Sequence, residues 1–370
     1  MQQAALCSEH SIVGSIKEHP EDFIVEEISL YEPCGSGEHV YLAVRKTNIS
    51  HDALLNEVSR ALNVSTRAIG YAGRKDLYAT TTQLLSAHLP GIDIEILNGI
   101  GNVELLWQSR HTNKLRLGHL LGNRFKIRIR GVDAADVGFI QERMVRFSTE
   151  GMPNAFGPQR FGNHKNNHYL GKALLMEDWD QLIELLEGGD EVLAQRVVQR
   201  RSRGVIAKPL RKLWVNALQS AIFNGVLEQR IAEGTWNTPL IGDLVCKHGA
   251  RGRTFEVTTE EIDSAEFQSR VDSVEISPTG PMWGKKMREP AGDVFDKEMA
   301  VLKSFGLTQS QFATTKQYGT GARRPLRVPV DNTEVTEGGD ERGSFVLAQF
   351  ELPAGSYATT LIESLLNASL

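Results

Sequence analysis

The sequence predicts an α/β (α+β) protein in two parts, with an inserted α/β block interrupting a domain of short strands and helices. Three observations carry this. Up to Gly151, runs of β-branched and aromatic residues bounded by Gly and Pro alternate with stretches of helical spacing. Past Gly151-Met152-Pro153 the texture turns strongly acidic, then strongly basic. Strand texture returns at 344–351 and leads into a last apolar helix. The expected boundaries are 1–153 with 327–370 for the discontinuous outer domain and 154–326 for the insertion.

In chain order, 23–28 and 39–46 read as strands on either side of Pro33-Cys34-Gly35-Ser36-Gly37. That Gly-x-Gly opens no helix and has no third glycine, so it is no dinucleotide fingerprint. Leu54, Leu55, Val58, Ala61 and Leu62 share one face at helical spacing and predict a helix over 51–62. The stretch Gly70-Tyr71-Ala72-Gly73-Arg74-Lys75-Asp76 leads to strands at 83–89, 103–110 and 124–130, and then to a helix at 133–147. In the insertion, 176–191 reads as one acidic helix. The following 192–227 contains no acid and carries Arg196, Arg200, Arg201, Arg203, Lys208, Arg211 and Lys212. Its second half is an amphipathic helix through Leu210, Leu213, Trp214, Ala217, Leu218, Ala221 and Ile222. Mixed short strands and turns fill the chain to Pro325 and Pro329. The turn Leu352-Pro353-Ala354-Gly355-Ser356 opens the last helix, with Leu361, Ile362, Leu365 and Leu366 on its face.

Composition narrows the function classes. The chain has 370 residues, 41% of them apolar, which excludes intrinsic disorder, collagen and low-complexity scaffolds. With 41 Lys+Arg against 46 Asp+Glu the net charge is −5, so any nucleic-acid surface must be a local patch. Cys7, Cys34 and Cys246 are odd in number and far apart, which offers neither a disulfide framework nor a zinc knuckle. Reduced thiols in the cytoplasm are expected. The first Lys is Lys17, so no signal peptide is expected, and no apolar run approaches the ~18 residues of a membrane span.

No P-loop, H-E-x-x-H, G-x-S-x-G or P-C-x-x-C pattern occurs. His164 and His168 have metal-ligand spacing but sit in a loop-like run without an evident third ligand, so no metal is expected. In Arg124-Phe125-Lys126-Ile127-Arg128-Ile129-Arg130, the cations Arg124, Lys126, Arg128 and Arg130 share one face of a strand. They repel one another unless an anion meets them, and a phosphate backbone is one such anion. A solvated outer sheet face is the alternative. The second basic stretch, including Arg200 and Arg203, favours RNA or DNA. Asp76, flanked by Arg74 and Lys75, has a carboxylate that neighbouring cations keep ionised, suited to a nucleophile or base. An Asp in a Gly-rich turn also serves as a cap.

Six motifs in order then resemble the TruD-type tRNA pseudouridine synthases. They are Lys17 with Pro20-Glu21-Asp22-Phe23-Ile24-Val25-Glu26-Glu27; Gly35-x-Gly37-x-His39; Ala72-Gly73-Arg74-Lys75-Asp76-x-x-Ala79-x-Thr81-x-Gln83; Lys114-Leu115-Arg116-x-Gly118-x-x-x-Gly122-Asn123-x-Phe125; Pro153-Asn154-x-Phe156-Gly157-x-Gln159-Arg160-Phe161-Gly162; and Leu352-Pro353-Ala354-Gly355-Ser356-Tyr357-Ala358-Thr359. The compact length resembles the bacterial branch. The resemblance implies a catalytic domain with a mixed, largely antiparallel sheet flanked by helices, and a family insertion domain.

It further implies an isomerase that converts uridine 13 in the D arm of tRNA to pseudouridine. Asp76 would be the nucleophile and Lys17 its ionic partner. Phe125 would stack on the target uracil, and Phe23, Asn123 and Tyr357 would line the nucleotide pocket, Tyr357 standing where bacterial members usually have Phe. Breaking the glycosidic bond, rotating the base and rejoining it at C5 involves no redox step, so no cofactor is expected. Extruding the uridine costs a few kcal/mol, and aromatic stacking returns about 1–3 kcal/mol per base. Core packing is the competing role for Phe23 and Phe125. The expected partner is tRNA, with the chain a monomer away from membranes. A non-catalytic RNA-binding or chaperone protein is the alternative, sharing the basic patches without requiring Asp76. A methyltransferase would need a cofactor loop that the sequence does not show.

Overall fold

The computed structural model describes residues 11–91, 102–249, 253–313 and 320–367, so Cys7 lies outside the described residues. In chain order come β1 (Phe23–Ser29), β2 (His39–Thr47), α1 (His51–Leu62), β3 (Gly70–Tyr71), β4 (Thr80–His88), β5 (Glu104–His111), β6 (Leu120–Arg130) and α2 (Val137–Glu150). Then follow β7 (Met152–Pro153), α3 (Asn167–Met176), α4 (Trp179–Glu187), α5 (Glu191–Arg200), α6 (Lys208–Ala232), β8 (Leu244–Lys247) and β9 (Thr254–Glu256). After these lie α7 (Thr259–Ile262), α8 (Ala265–Asp272), β10 (Ile276–Met282), α9 (Gly292–Ser304), α10 (Gln309–Ala313), β11 (Ala322–Pro325) and β12 (Arg327–Val328). The chain closes with β13 (Asp331–Asp340), β14 (Gly343–Pro353) and α11 (Ala358–Leu366). It divides into two compact units, one formed by 1–148, 329–358 and 362–369, the other mainly by 149–328. No helix among the described residues is long and apolar enough to cross a membrane.

The first unit is an eight-stranded sheet in the order β13-β14-β6-β1-β4-β2-β5, with β3 added on β4. Strands β1 and β4 run parallel and the other pairs antiparallel, which is the mixed, largely antiparallel sheet expected. Helix α1 covers one face. Ser50 caps it by accepting from Ala53 N at 3.1 Å, and Asn63 ends it in the left-handed region at φ 52°. Its Leu54, Leu55, Val58 and Leu62 pack on Val40, Leu42 and Val44 of β2 and on Leu85 and Ala87 of β4. Full burial contributes about 1.5–3 kcal/mol for each such side chain, enough to fix α1 on the sheet.

Strand β6 lies between β1 and β14, and its alternation sorts the residues that matter. Phe125, Ile127 and Ile129 are buried on the face shared by Asn123, while Arg124, Lys126, Arg128 and Arg130 point to the other. The strand starts at Leu120, four residues before the apolar alternation is visible in sequence. Pairs Gly122↔Pro353 and Asn123↔Leu352 extend it. A side chain at residue 122 would collide with the Leu352 carbonyl, so glycine is required there.

The second unit packs helices on the antiparallel sheet β11-β10-β8-β9, beside the two-stranded ribbon of β7 and β12. Long α6 buries Trp214, Val215, Leu218 and Ile222 against α3 and α5, including Leu174 and Val197. Gly171 in α3 allows the helices to approach, since a Cβ there would strike the Trp214 carbonyl. The single acidic helix expected at 176–191 is instead three elements. Glu177 closes α3 at φ 56°, Asp178 caps α4 through Gln181 N at 3.1 Å, and Asp190 caps α5 through Leu193 N at 3.0 Å. Acids read as one charged face are in part end-caps.

Candidate active site

Asp76 lies on the irregular segment between β3 and β4, which is held by cations and main-chain bonds. Gly118 N donates to Ala72 O at 2.9 Å, Asn48 N to Ala79 O at 3.2 Å, and the Tyr78 hydroxyl to Glu18 O at 2.9 Å. Lys46 Nζ donates to the main-chain carbonyl of Asp76 itself at 2.6 Å. Lys75 turns inward, 2.6 Å from Asn123 Oδ1 and 2.9 Å from Glu27 Oε2, with both ends of that ion pair buried. Arg74 turns outward and pairs with Asp52 on the surface.

The Asp76 carboxylate receives Lys17 Nζ at 3.1 Å on Oδ2, with the Asp76 side chain 47% and that of Lys17 25% exposed. Such a half-exposed pair contributes about 0–1 kcal/mol, so its geometry is not explained by stability. Lys17 also lies 4.1 Å from the centroid of the Phe23 ring and takes a left-handed backbone at φ 62°. A lysine in that region is strained, as residues at functional sites often are. The strain is sustained from both sides. Ser15 exchanges two 2.9 Å main-chain bonds with Arg130, and Asp22 Oδ2 accepts from His19 N at 3.2 Å.

Lys17, Phe23, Asp76, Asn123 and Phe125 are therefore linked: Lys17 to Asp76 and Phe23, Asp76 through its neighbour Lys75 to Asn123, and Phe23 to Phe125 by an edge contact at 6.3 Å. Tyr357 stands half-buried after β14, on the turn tied to β6 by Ala354 N donating to Leu121 O at 3.0 Å. Both aromatic rings are packed in the core, the role that competed with base stacking. Phe23 is 2% and Phe125 6% exposed, and Phe125 stacks on Phe350 at 5.3 Å because β6 is a central strand.

The basic strand is a correction. Its cations point away from the face of Asn123 and Phe125, and three of the four already meet protein carboxylates. Arg124 pairs with Glu351 at 2.7 Å, Arg128 with Asp340 at 3.4 Å, and Arg130 with Asp22 at 2.7 Å and Asp340 at 2.8 Å. The anions that relieve their mutual repulsion come from Asp22, in the turn just before β1, and from the hairpin of β13 and β14. Arg130, 5% exposed, is closed to a phosphate. Lys126 makes no ion pair among the described residues. In the second unit, Arg203 pairs with Glu177 at 3.0 Å and Arg201 with Asp180, so part of the basic stretch neutralises the acidic one. Arg200 is exposed.

Sequence reasoning passed over Lys46, Glu27 and Lys75 as site residues. Their signal was a charged side chain inside a strand pattern or beside Asp76. Thr81 and Gln83, both inside the quoted motif, are buried on β4 with side-chain polar atoms that have no hydrogen-bond partner among the described residues. No group of three His, Cys, Asp or Glu placed to hold a metal occurs among the described residues. His168 lies on α3 against Phe161 and Tyr169, where burial pushes its imidazole pKa down.

The mixed sheet and its helices have a counterpart among solved structures. The crystal structure of a candidate tRNA pseudouridine synthase D (TruD) from Methanosarcina mazei superposes with a TM-score of 0.79 at 24% identity, over 98% of this chain and 96% of that one. The family model described as tRNA pseudouridine synthase D (TruD) matches residues 2–203 and 192–365. Bacterial relatives named tRNA pseudouridine synthase D agree along nearly the whole chain. That of Geobacter metallireducens is 36% identical, covering 96% of this chain and 95% of its own length. That of Anaeromyxobacter sp. is 37% identical, with 96% and 93% covered. The chain belongs to the TruD family of tRNA pseudouridine synthases.

Proposed function

We propose that this protein isomerises uridine 13 in the D arm of tRNA to pseudouridine, with Asp76 as nucleophile and no cofactor. The observation that carries the reading is the Asp76 carboxylate, accessible and 3.1 Å from Lys17 Nζ, on a segment whose main chain and neighbours are fixed by Lys46 and Lys75. The Lys17 ammonium donates to one carboxylate oxygen and holds it in place. The other oxygen attacks the extruded nucleoside as the bond from N1 to C1′ breaks. The base turns, C5 bonds to C1′, the bond to the Asp76 oxygen breaks to return the free carboxylate, and the C5 proton is lost as N1 gains one. Substrate and product are isomers, so no electron donor or acceptor enters.

In this reading Asn123 and Tyr357 bound the nucleotide pocket, and Phe23 and Phe125 form its floor, not an open stacking surface. The first unit is the catalytic domain and the second the family's insertion domain, with Arg200 and Lys126 among the cations that meet RNA phosphates. Asp76→Asn tests it on a D-arm-bearing tRNA transcript mapped chemically for pseudouridine. Turnover should fall to background with tRNA affinity and melting temperature retained. Substantial turnover by well-folded Asp76→Asn removes Asp76 as nucleophile. A wild-type protein that binds tRNA without turnover leaves the RNA-binding reading instead.

A further inference from the structure

We propose that Lys46 is a positioning residue for Asp76, holding the main chain of its segment so that the carboxylate stays aimed at the nucleoside. The proposal rests on the reading of Asp76 as nucleophile. Lys46 is the penultimate residue of β2, opposite Thr81 of β4, and is 1% exposed. Lysine is almost never fully buried unless its charge is paired. Here the amine makes no ion pair among the described residues and donates to the carbonyl of residue 76 at 2.6 Å. The same strand face presents Val40, Leu42 and Val44, so an apolar side chain would have served packing. Burial draws the amine's pKa down to about 8, and the Asp76 charge opposes that fall.

The arrangement gives Asp76 two separate restraints. Lys17 holds the carboxylate from the solvent side, and Lys46 holds the backbone from inside the sheet. Other bonds of the segment fall at Ala72, Tyr78 and Ala79, whereas Lys46 acts on the main chain of residue 76 itself. A misplacement of about 1 Å in a reacting group is worth on the order of 100-fold in rate.

The test is Lys46→Met, which keeps length and packing and removes the donor. The expected result is a kcat lowered about 10- to 100-fold, with the tRNA dissociation constant within about twofold of wild type. Melting temperature should fall little, because Lys46 makes no ion pair among the described residues and its removal leaves a single carbonyl acceptor without its donor. Wild-type kcat in Lys46→Met overturns the proposal, as does a loss of activity no greater than the loss of folded protein. If Lys46→Met does not fold, Lys46→Gln takes its place under the same criteria, since its shorter head falls short of the Asp76 carbonyl. Failure of both to fold assigns Lys46 to stability and overturns the proposal as well. Asp76→Asn in the same assay separates the two ideas: its retained turnover defeats the nucleophile, whereas Lys46→Met at wild-type kcat defeats the positioning alone.

Discussion

Arg130 donates through Nε and Nη2 to the two carboxylate oxygens of Asp22 at 2.8 and 2.7 Å, with both residues buried. The same guanidinium reaches Asp340 at 3.1 and 2.8 Å, so one side chain of β6 ties the turn before β1 to the end of β13. Phe345 lies beneath Arg128 and Arg130, 4.9 and 5.6 Å from their guanidinium carbons. That network braces the segment from Ser15 to Phe23, which carries Lys17.

Arg130→Met should therefore destabilise the protein by about 3–5 kcal/mol, the usual cost of removing one member of a buried ionic group. Urea unfolding measures it. The slope of log tRNA affinity against log salt should stay at its wild-type value, because Arg130 meets no phosphate. A reduced slope with unchanged stability would restore the phosphate role.

Acid should weaken the fold in two windows. Burial, with Arg74 adding to it, draws the His51 pKa from 6.5 to about 4 in the folded protein. The unfolded chain takes up that proton first, so the stability His51 contributes is complete above its unfolded value and is lost as pH falls toward 4. The sum is at most about 3 kcal/mol. Asp340 follows, held at about 2 by its hydrogen bonds from Arg130, with its contribution lost as pH falls from its ordinary value of 3.8. Denaturant unfolding at intervals from pH 7 to 2 should show both, and His51→Gln should flatten only the upper window.

The sequence made the sheet legible wherever alternation met a buried face, as in β1, β2 and β6, and α1 was read to its ends because its apolar stripe and caps agree. Strand β13 was not read. Its Asp-Asn-Thr-Glu-Val-Thr-Glu-Gly-Gly-Asp run has few apolar residues, and an edge strand tolerates that because only one side must pair. Helix α3 was hidden behind the polar Gly162-Asn163-His164-Lys165-Asn166 run that precedes it. At the site, Lys17 meets the Asp76 carboxylate and Asn123 meets the neighbouring Lys75, contacts between residues far apart in sequence. The basic strand misled for a definite reason: its counter-charges, Asp22, Asp340 and Glu351, lie far away in sequence, so periodicity displayed the cations without their partners.

Lys126 makes no ion pair among the described residues, and the proposed function sets it against an RNA phosphate. Lys126→Gln should lower the salt slope of tRNA binding by about one unit or less and weaken tRNAs of different sequence alike, since phosphate contacts carry little sequence information. Binding titrations at several salt concentrations measure it. An unchanged slope places the RNA path elsewhere on the protein.

Lys17→Met isolates the ion pair at the centre of the proposed chemistry. It removes the 3.1 Å contact with Asp76 and the ammonium over the Phe23 ring, but keeps the length of the side chain. Because the pair is half-exposed, stability should change by about 1 kcal/mol or less. Because in the proposed chemistry Lys17 orients the attacking carboxylate, kcat should fall about 10- to 100-fold, with tRNA affinity changed much less. Lys17→Arg retains the charge and should recover part of the rate. Single-turnover kinetics at saturating enzyme separate the step from binding. A wild-type single-turnover rate in Lys17→Met would mean that Asp76 is aimed without Lys17, leaving the strained backbone at residue 17 without a catalytic reason.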